Sequence, residues 1–166
     1  MTSSFDNVYL GELAPNKLSQ AYCLAKMAGE PRDEAAWLER IKRWQQTTNE
    51  NKKGVIALEN ADGYVIALLY YCVSKTPELG RMLEVRDLTV PLMFRASIIE
   101  NFVPILDQLA GKLSCWTIFL PKPHDTPENK SAISFMAELE GFQSEDNGIY
   151  RYLPAKREAL LKVVKL

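Results

Sequence analysis

Glu84 and Asp87 stand in the mostly apolar run 83–90, where a carboxylate needs a partner or a role in moving a proton. If that run is a strand, side-chain alternation puts the two on opposite faces, so at most one looks into a given cleft. Asp87, set among Val85 and Thr89, would take that place unless it forms an ion pair with an arginine such as Arg86 or Arg81. His124 is the sole histidine and sits beside Asp125 in the loop composition Pro121-Lys122-Pro123-His124-Asp125. It would shuttle protons only if buried against a cleft, and a loop histidine is ordinarily solvated. With one histidine no Ser-His-Asp or Cys-His grouping can be assembled. Cys23, Cys72 and Cys115 are widely spaced and form no Cys-x-x-Cys pair, which reads as buried, reduced thiols and no metal site. No P-loop or dinucleotide-binding glycine motif is present. Trp37 and Trp44, seven apart, share one helix face and read as core residues.

The elements that must position these groups fit one domain. The chain has 166 residues, 47% hydrophobic and 25% charged, an ordinary globular balance. A formal net charge of −1 gives no general attraction to nucleic acid or to an anionic membrane. The longest apolar stretch, 64–73, is half of the ~20 residues a membrane helix needs. The first six residues lack a basic segment leading into an apolar run, so the expected location is cytoplasmic.

Residues 8–13 read as an opening strand. In 17–28, Leu18, Ala21, Tyr22 and Ala25 have the spacing of an amphipathic helix that stops at Gly29. Asp33 offers an N-cap to a second helix whose apolar face is Trp37, Leu38, Ile41 and Trp44. Strand 54–59, the turn Asn60-Ala61-Asp62-Gly63 and strand 64–73 form a hairpin, its second strand apolar on both faces and therefore central. Strand 83–90, helix 97–110 with Gly111 as its stop, and strand 115–120 make a right-handed parallel crossover. Pro104 inside that helix should kink it. A helix over 130–140 and a strand over 149–153 complete a domain spanning 1–154. The tail 155–166 is a basic amphipathic segment, with Lys156, Arg157, Lys162 and Lys165 against Glu158.

Three local matches, in order, resemble the GNAT (Gcn5-related N-acetyltransferase) superfamily across 8–153. They are the hairpin Leu58 to Ala67, the segment Leu88-Thr89-Val90-Pro91 followed by Phe94-Arg95, and Asn129, Ala132, Phe135 and Gly141-Phe142 late in the chain. The resemblance implies a mixed α/β (α+β) fold, a sheet of about six strands flanked by four helices. It also implies transfer of an acyl group from acetyl-CoA or another acyl-CoA to a small-molecule or protein amine, with a homodimer as a further possibility.

In that family the loop after the fourth strand reads Gln/Arg-x-x-Gly-x-Gly/Ala and opens the crossover helix, whose first N–H groups and dipole hold a diphosphate. Laid on this sequence, Arg95 fills the first position while Ile98 and Glu100 replace the two small residues. Ile98 would crowd the diphosphate if it were not core. The cofactor contacts implied are Val90, Phe94, Arg95, Ala96, Ser97 and Asn129, with Asn129 equally suited to be a helix cap. Asp87 or Glu84 would be the general base, and a backbone N–H near Val90 would hold the thioester oxygen. The tyrosine that many members use to protonate the departing thiolate falls on Met136 or Ala137, neither of which can donate a proton. The eroded motif leaves open a non-catalytic GNAT-fold binding module, or a transferase whose donor is an acyl-carrier protein.

Overall fold

The computed structural model describes residues 8–30, 32–46, 52–121 and 141–153. Its elements are β1 (Tyr9–Glu12), α1 (Leu18–Met27), α2 (Glu34–Gln45), β2 (Lys52–Glu59), β3 (Val65–Thr76), β4 (Gly80–Thr89), α3 (Arg95–Lys112), β5 (Thr117–Pro121), β6 (Gln143–Glu145) and β7 (Gly148–Tyr152). Single 3-10 turns, Pro15–Lys17 and Leu92–Phe94, lead into α1 and α3. The expected helix 130–140, His124, Asn129 and the tail 155–166 lie outside the described residues.

One sheet of seven strands runs in the order β1-β2-β3-β4-β5-β7-β6. Among the described residues its only parallel pair is β4 with β5, the expected crossover. β3 is central because residues 65–73 are apolar and buried without interruption, which covers it on both faces. The β2–β3 turn is held by Asn60, whose Oδ1 accepts the N–H groups of Asp62 (3.1 Å) and Tyr64 (2.9 Å). Gly63 supplies the positive φ of 78° that this turn requires.

Alternation along the strands divides the core in two. On one face Leu69, Tyr71, Leu83, Val85 and Ile118 meet Ile98, Phe102 and Leu106 of α3. On the other, Val55, Leu68 and Tyr70 meet Leu24 of α1 and Trp37 and Ile41 of α2.

Four expectations are corrected. Tyr70 pairs with Asp87 but Tyr71 pairs with Val85, so Arg86 is the extra residue of a β-bulge. Because Asp87 lies opposite Tyr70 and Glu84 opposite Cys72, two residues apart on β3, both carboxylates leave the same face of the sheet. α3 starts two residues before the expected 97 and runs through Gly111. The left-handed residue is Ser114 (φ 55°), after which Cys115 N–H closes on Ala110 O at 2.8 Å. α3 carries the exposed Pro104 inside it. Cys23 is exposed on α1, whereas Cys72 and Cys115 are buried. Finally, the described residues hold seven strands, because Gln143–Glu145 forms a short edge hairpin with β7.

Candidate functional site at the end of β4

β4 pairs with β5 only at Met82, Leu83 and Glu84, then continues to Thr89. Past the bulge at Arg86 the two strands no longer pair, and the sheet opens there. A pocket of about 320 Å³ lies at this open end, walled by Asp87–Val90, by the α1–α2 turn, by Arg40 and by Arg95.

The α1–α2 turn is built locally. Gly29, at φ 93°, ends α1, with Gly29 N–H bonded to Lys26 O (3.0 Å) and Glu30 N–H to Ala25 O (2.9 Å). Asp33 then caps α2 by accepting from Ala36 N–H at 2.7 Å. These two devices bring Glu30 and Arg32 beside the middle of α2. Glu30 accepts from Arg32 Nη1 (2.6 Å) and from Arg40 Nη1 (2.8 Å), and Arg40 Nη2 reaches Asp87 Oδ2 at 3.3 Å. The second oxygen of Asp87 accepts the N–H of Leu88 at 2.8 Å. Arg40 also lies over the ring of Tyr70, with its Cζ 5.0 Å from the centroid.

Tyr70 is buried, and its hydroxyl makes no hydrogen bond of normal geometry among the described residues. Burial pushes its pKa up, partly countered by Arg40 above the ring and by Thr89 beside it.

The two candidate carboxylates have different surroundings. Asp87 lines the pocket, and its partner is Arg40 of α2; neither Arg86 nor Arg81 takes that place. Arg81 instead donates to Leu113 O at 3.0 Å. Glu84 is buried outside the pocket walls, paired with Arg86 Nη2 at 2.5 Å and 3.5 Å from Cys72 Sγ. Burial pushes the Cys72 thiol up, with Arg86 working against it. Glu30, Arg32 and Arg40 escaped the sequence analysis. Arg40 sits between Trp37 and Trp44 at i+3 and i−4, so its signal is a cation on the border of an apolar helix face.

Solved structures match the chain along most of its length. A chimera of the spermidine N-acetyltransferase SpeG from Vibrio cholerae and hSSAT superposes with a TM-score of 0.63 at 16% identity, covering 90% of this chain and 99% of that one. An aminoglycoside antibiotic 6'-N-acetyltransferase from Acinetobacter baumannii gives 0.60 at 15% identity, covering 85% and 94%. An acetyltransferase of the GNAT family from Staphylococcus aureus gives 0.55 at 12%, covering 89% and 99%. The chain has the GNAT fold. No family model matches the sequence, and no curated protein matches it.

The stretch after β4, where the resemblance implies a cofactor loop, is already helical. Phe94 N–H bonds to Pro91 O at 3.0 Å and Arg95 N–H to Leu92 O, so the 3-10 turn runs directly into α3. Of the residues implied as cofactor contacts, Val90 and Arg95 line the pocket. Phe94 is half-buried against both halves of the core, Ala96 is exposed, and Ser97 O accepts from Asn101 Nδ2 at 2.9 Å. Ile98 is fully buried in the core against the sheet, so its side chain does not stand in the loop. Glu100 is exposed. The turn residues Leu92 (78% exposed) and Met93 (68%) present apolar side chains to the surface just before this helix start.

Proposed function

We propose that this chain is an N-acyltransferase, moving an acyl group from acyl-CoA, acetyl-CoA in the first instance, to an amine. The observation that carries the proposal is the pocket at the opened end of β4, where Asp87 and Arg95 share one cavity. A carboxylate suits an ammonium acceptor, and a guanidinium beside a helix start suits an anionic donor.

Two features fit the cofactor. The gap past Glu84 is bounded by strand backbone on both sides, which suits an extended arm. Arg95 stands at the head of an 18-residue helix, which suits a diphosphate. Acetyl-CoA supplies the acyl group activated as a thioester. The chain's own residues do the rest. Asp87, half-exposed, takes the proton that the acceptor ammonium must lose before its nitrogen can bond to carbon. The carbon–nitrogen bond would form as the carbon–sulfur bond breaks, and the second proton, shed by the acylated nitrogen, would pass through water to the departing thiolate.

One observation favours a second reading, a GNAT-fold binding module or a transferase with a carrier-protein donor. The N–H groups of Phe94 and Arg95 are already bonded, and the turn before α3 is apolar. Calorimetric titration with CoA and acetyl-CoA, for the native chain and Arg95→Ala, separates the two. Binding that Arg95→Ala weakens by roughly tenfold, the size of a charge-assisted contact, supports the donor site. Folded protein that binds neither ligand at millimolar concentration rejects it.

A further inference from the structure

Arg32 and Arg40 each belong to two cavities. They line the pocket at Asp87 and also a larger groove of about 670 Å³ that follows α2 past Arg43 and Trp44 to Lys53 on β2. The two spaces therefore adjoin across one guanidinium wall and form a bent trough. Arg40, Arg43 and Trp44 recur at helical spacing, so the trough keeps to one side of α2, with about 6 Å of helix rise between Arg40 and Trp44. Lys53 Nζ lies 5.7 Å from the Trp44 ring centroid.

The charges differ along the trough. Asp87 and Glu30 stand at one end beside Arg95, with Arg32 and Arg40 shared between the two spaces and both bonded to Glu30. The groove along α2 adds Arg43 and Lys53 against two carboxylates, in a chain whose net charge is −1. Both of those carboxylates are occupied, Asp33 as the cap of α2 and Glu39 by Lys42 at 3.3 Å. The far end thus offers an aromatic face among cations, the surroundings of an oxyanion on a carbon body.

Arg40 is the joint between the two ends. Its contact with Glu30 is short (2.8 Å) and its contact with Asp87 long (3.3 Å), and Asp87 is the more exposed of the two carboxylates. An incoming ammonium displaces the long contact and leaves the short one in place. A second ammonium further along the same ligand would face Arg40 and Arg43.

We propose that the acceptor is a primary amine bearing a carboxylate several carbons away, its ammonium at Asp87, its chain along Trp44 and its carboxylate toward Arg43. This rests on the transferase reading for the choice of Asp87 as the amine's end, and it excludes polyamines as preferred ligands.

The test uses three probes of equal carbon count, 6-aminohexanoate, hexylamine and 1,6-diaminohexane, titrated by calorimetry into the full chain without donor. The expected order is 6-aminohexanoate tightest and the diamine weakest. Arg43→Glu should weaken 6-aminohexanoate roughly fivefold, the size of one exposed ion pair, and leave hexylamine unchanged. Arg43 is exposed, so the variant should fold, which circular dichroism checks. The inference is overturned if the diamine binds as tightly as the amino acid, if Arg43→Glu leaves their ratio unchanged, or if no probe binds. A parallel titration with acetyl-CoA keeps the two proposals apart. Acetyl-CoA binding without the amino-carboxylate preference sinks this inference alone, and the preference without acetyl-CoA binding sinks the transferase alone.

Discussion

Replacing Arg40 with alanine removes three interactions at once, and their sizes follow from their exposure. The bond to Glu30 joins an arginine side chain 29% exposed to a carboxylate 11% exposed, a charge-assisted contact of ~1.5 kcal/mol. The bond to Asp87, on a side chain 50% exposed, is screened to no more than ~0.5 kcal/mol. The cation over Tyr70 adds ~0.5 kcal/mol. Arg32 stays on Glu30, so that carboxylate is not stranded, and the larger cost of an unpaired buried charge does not arise. The expected loss is about 2 kcal/mol, a fall of roughly 1 M in the urea midpoint for a slope near 2 kcal/mol/M. Arg40→Lys keeps the charge but not the two-pronged geometry and should lose about half as much. A double-mutant cycle with Glu30→Gln should show ~1 kcal/mol of coupling. A loss under ~0.5 kcal/mol for Arg40→Ala, or a cycle with no coupling, would refute the claim that this guanidinium organises the pocket.

Three further outcomes are expected. Ile98→Ala should cost about 2–5 kcal/mol in urea unfolding, because the side chain is fully buried in the core; a cost under ~1 kcal/mol would return Ile98 to the loop. Under native conditions a thiol reagent should label Cys23 quickly and spare Cys72 and Cys115 until the protein unfolds, a result read by counting modified thiols by mass. Burial holds Cys72, Cys115 and Tyr70 protonated in the fold, so their folded pKa values lie above the unfolded ones. The thiols' contribution is therefore fully present below their unfolded value of 9.0 and is lost as pH rises beyond it, and that of Tyr70 is lost likewise beyond its unfolded value of 10.0. The urea midpoint should fall from about pH 8 to about pH 11, the part of the fall above pH 10 being smaller in Tyr70→Phe, and a flat midpoint would contradict the assignment.

The fold was largely legible because its signals are periodic. The unbroken apolar run of β3 announces a central strand, and Ile98, Phe102 and Leu106 announce the crossover helix at helical spacing. β6 was not legible, since Gln143, Ser144 and Glu145 are all exposed and a strand with no buried face leaves no alternation. The end of α3 was misplaced because Gly111 is the residue that favours a stop, while the chain turned at Ser114. Glycine preference states what a position can do, and hydrogen bonding to Ala110 decided where the turn fell.

The site was half legible, and the missing half has one physical cause. Alternation is a rule for regular strands, and it separates Glu84 from Asp87 only if β4 is regular. The bulge at Arg86 shifts the register by one residue, so a single extra position re-aims everything that follows it. It turns Asp87 toward Arg40, and it falls just past the last pair with β5. The same irregularity therefore sets the direction of the carboxylate and lies where the cleft opens beside it. Periodicity cannot register such a feature, because a bulge is a break in period. The sequence holds a weaker trace in Glu84, Arg86 and Asp87 crowded onto one short strand, more charge than a regular buried strand accommodates. Three ionisable groups in four positions of a central strand mark a place where the ladder must yield to give each a partner. Here Glu84 takes Arg86 and Asp87 takes Arg40, and only the second pair lines the pocket.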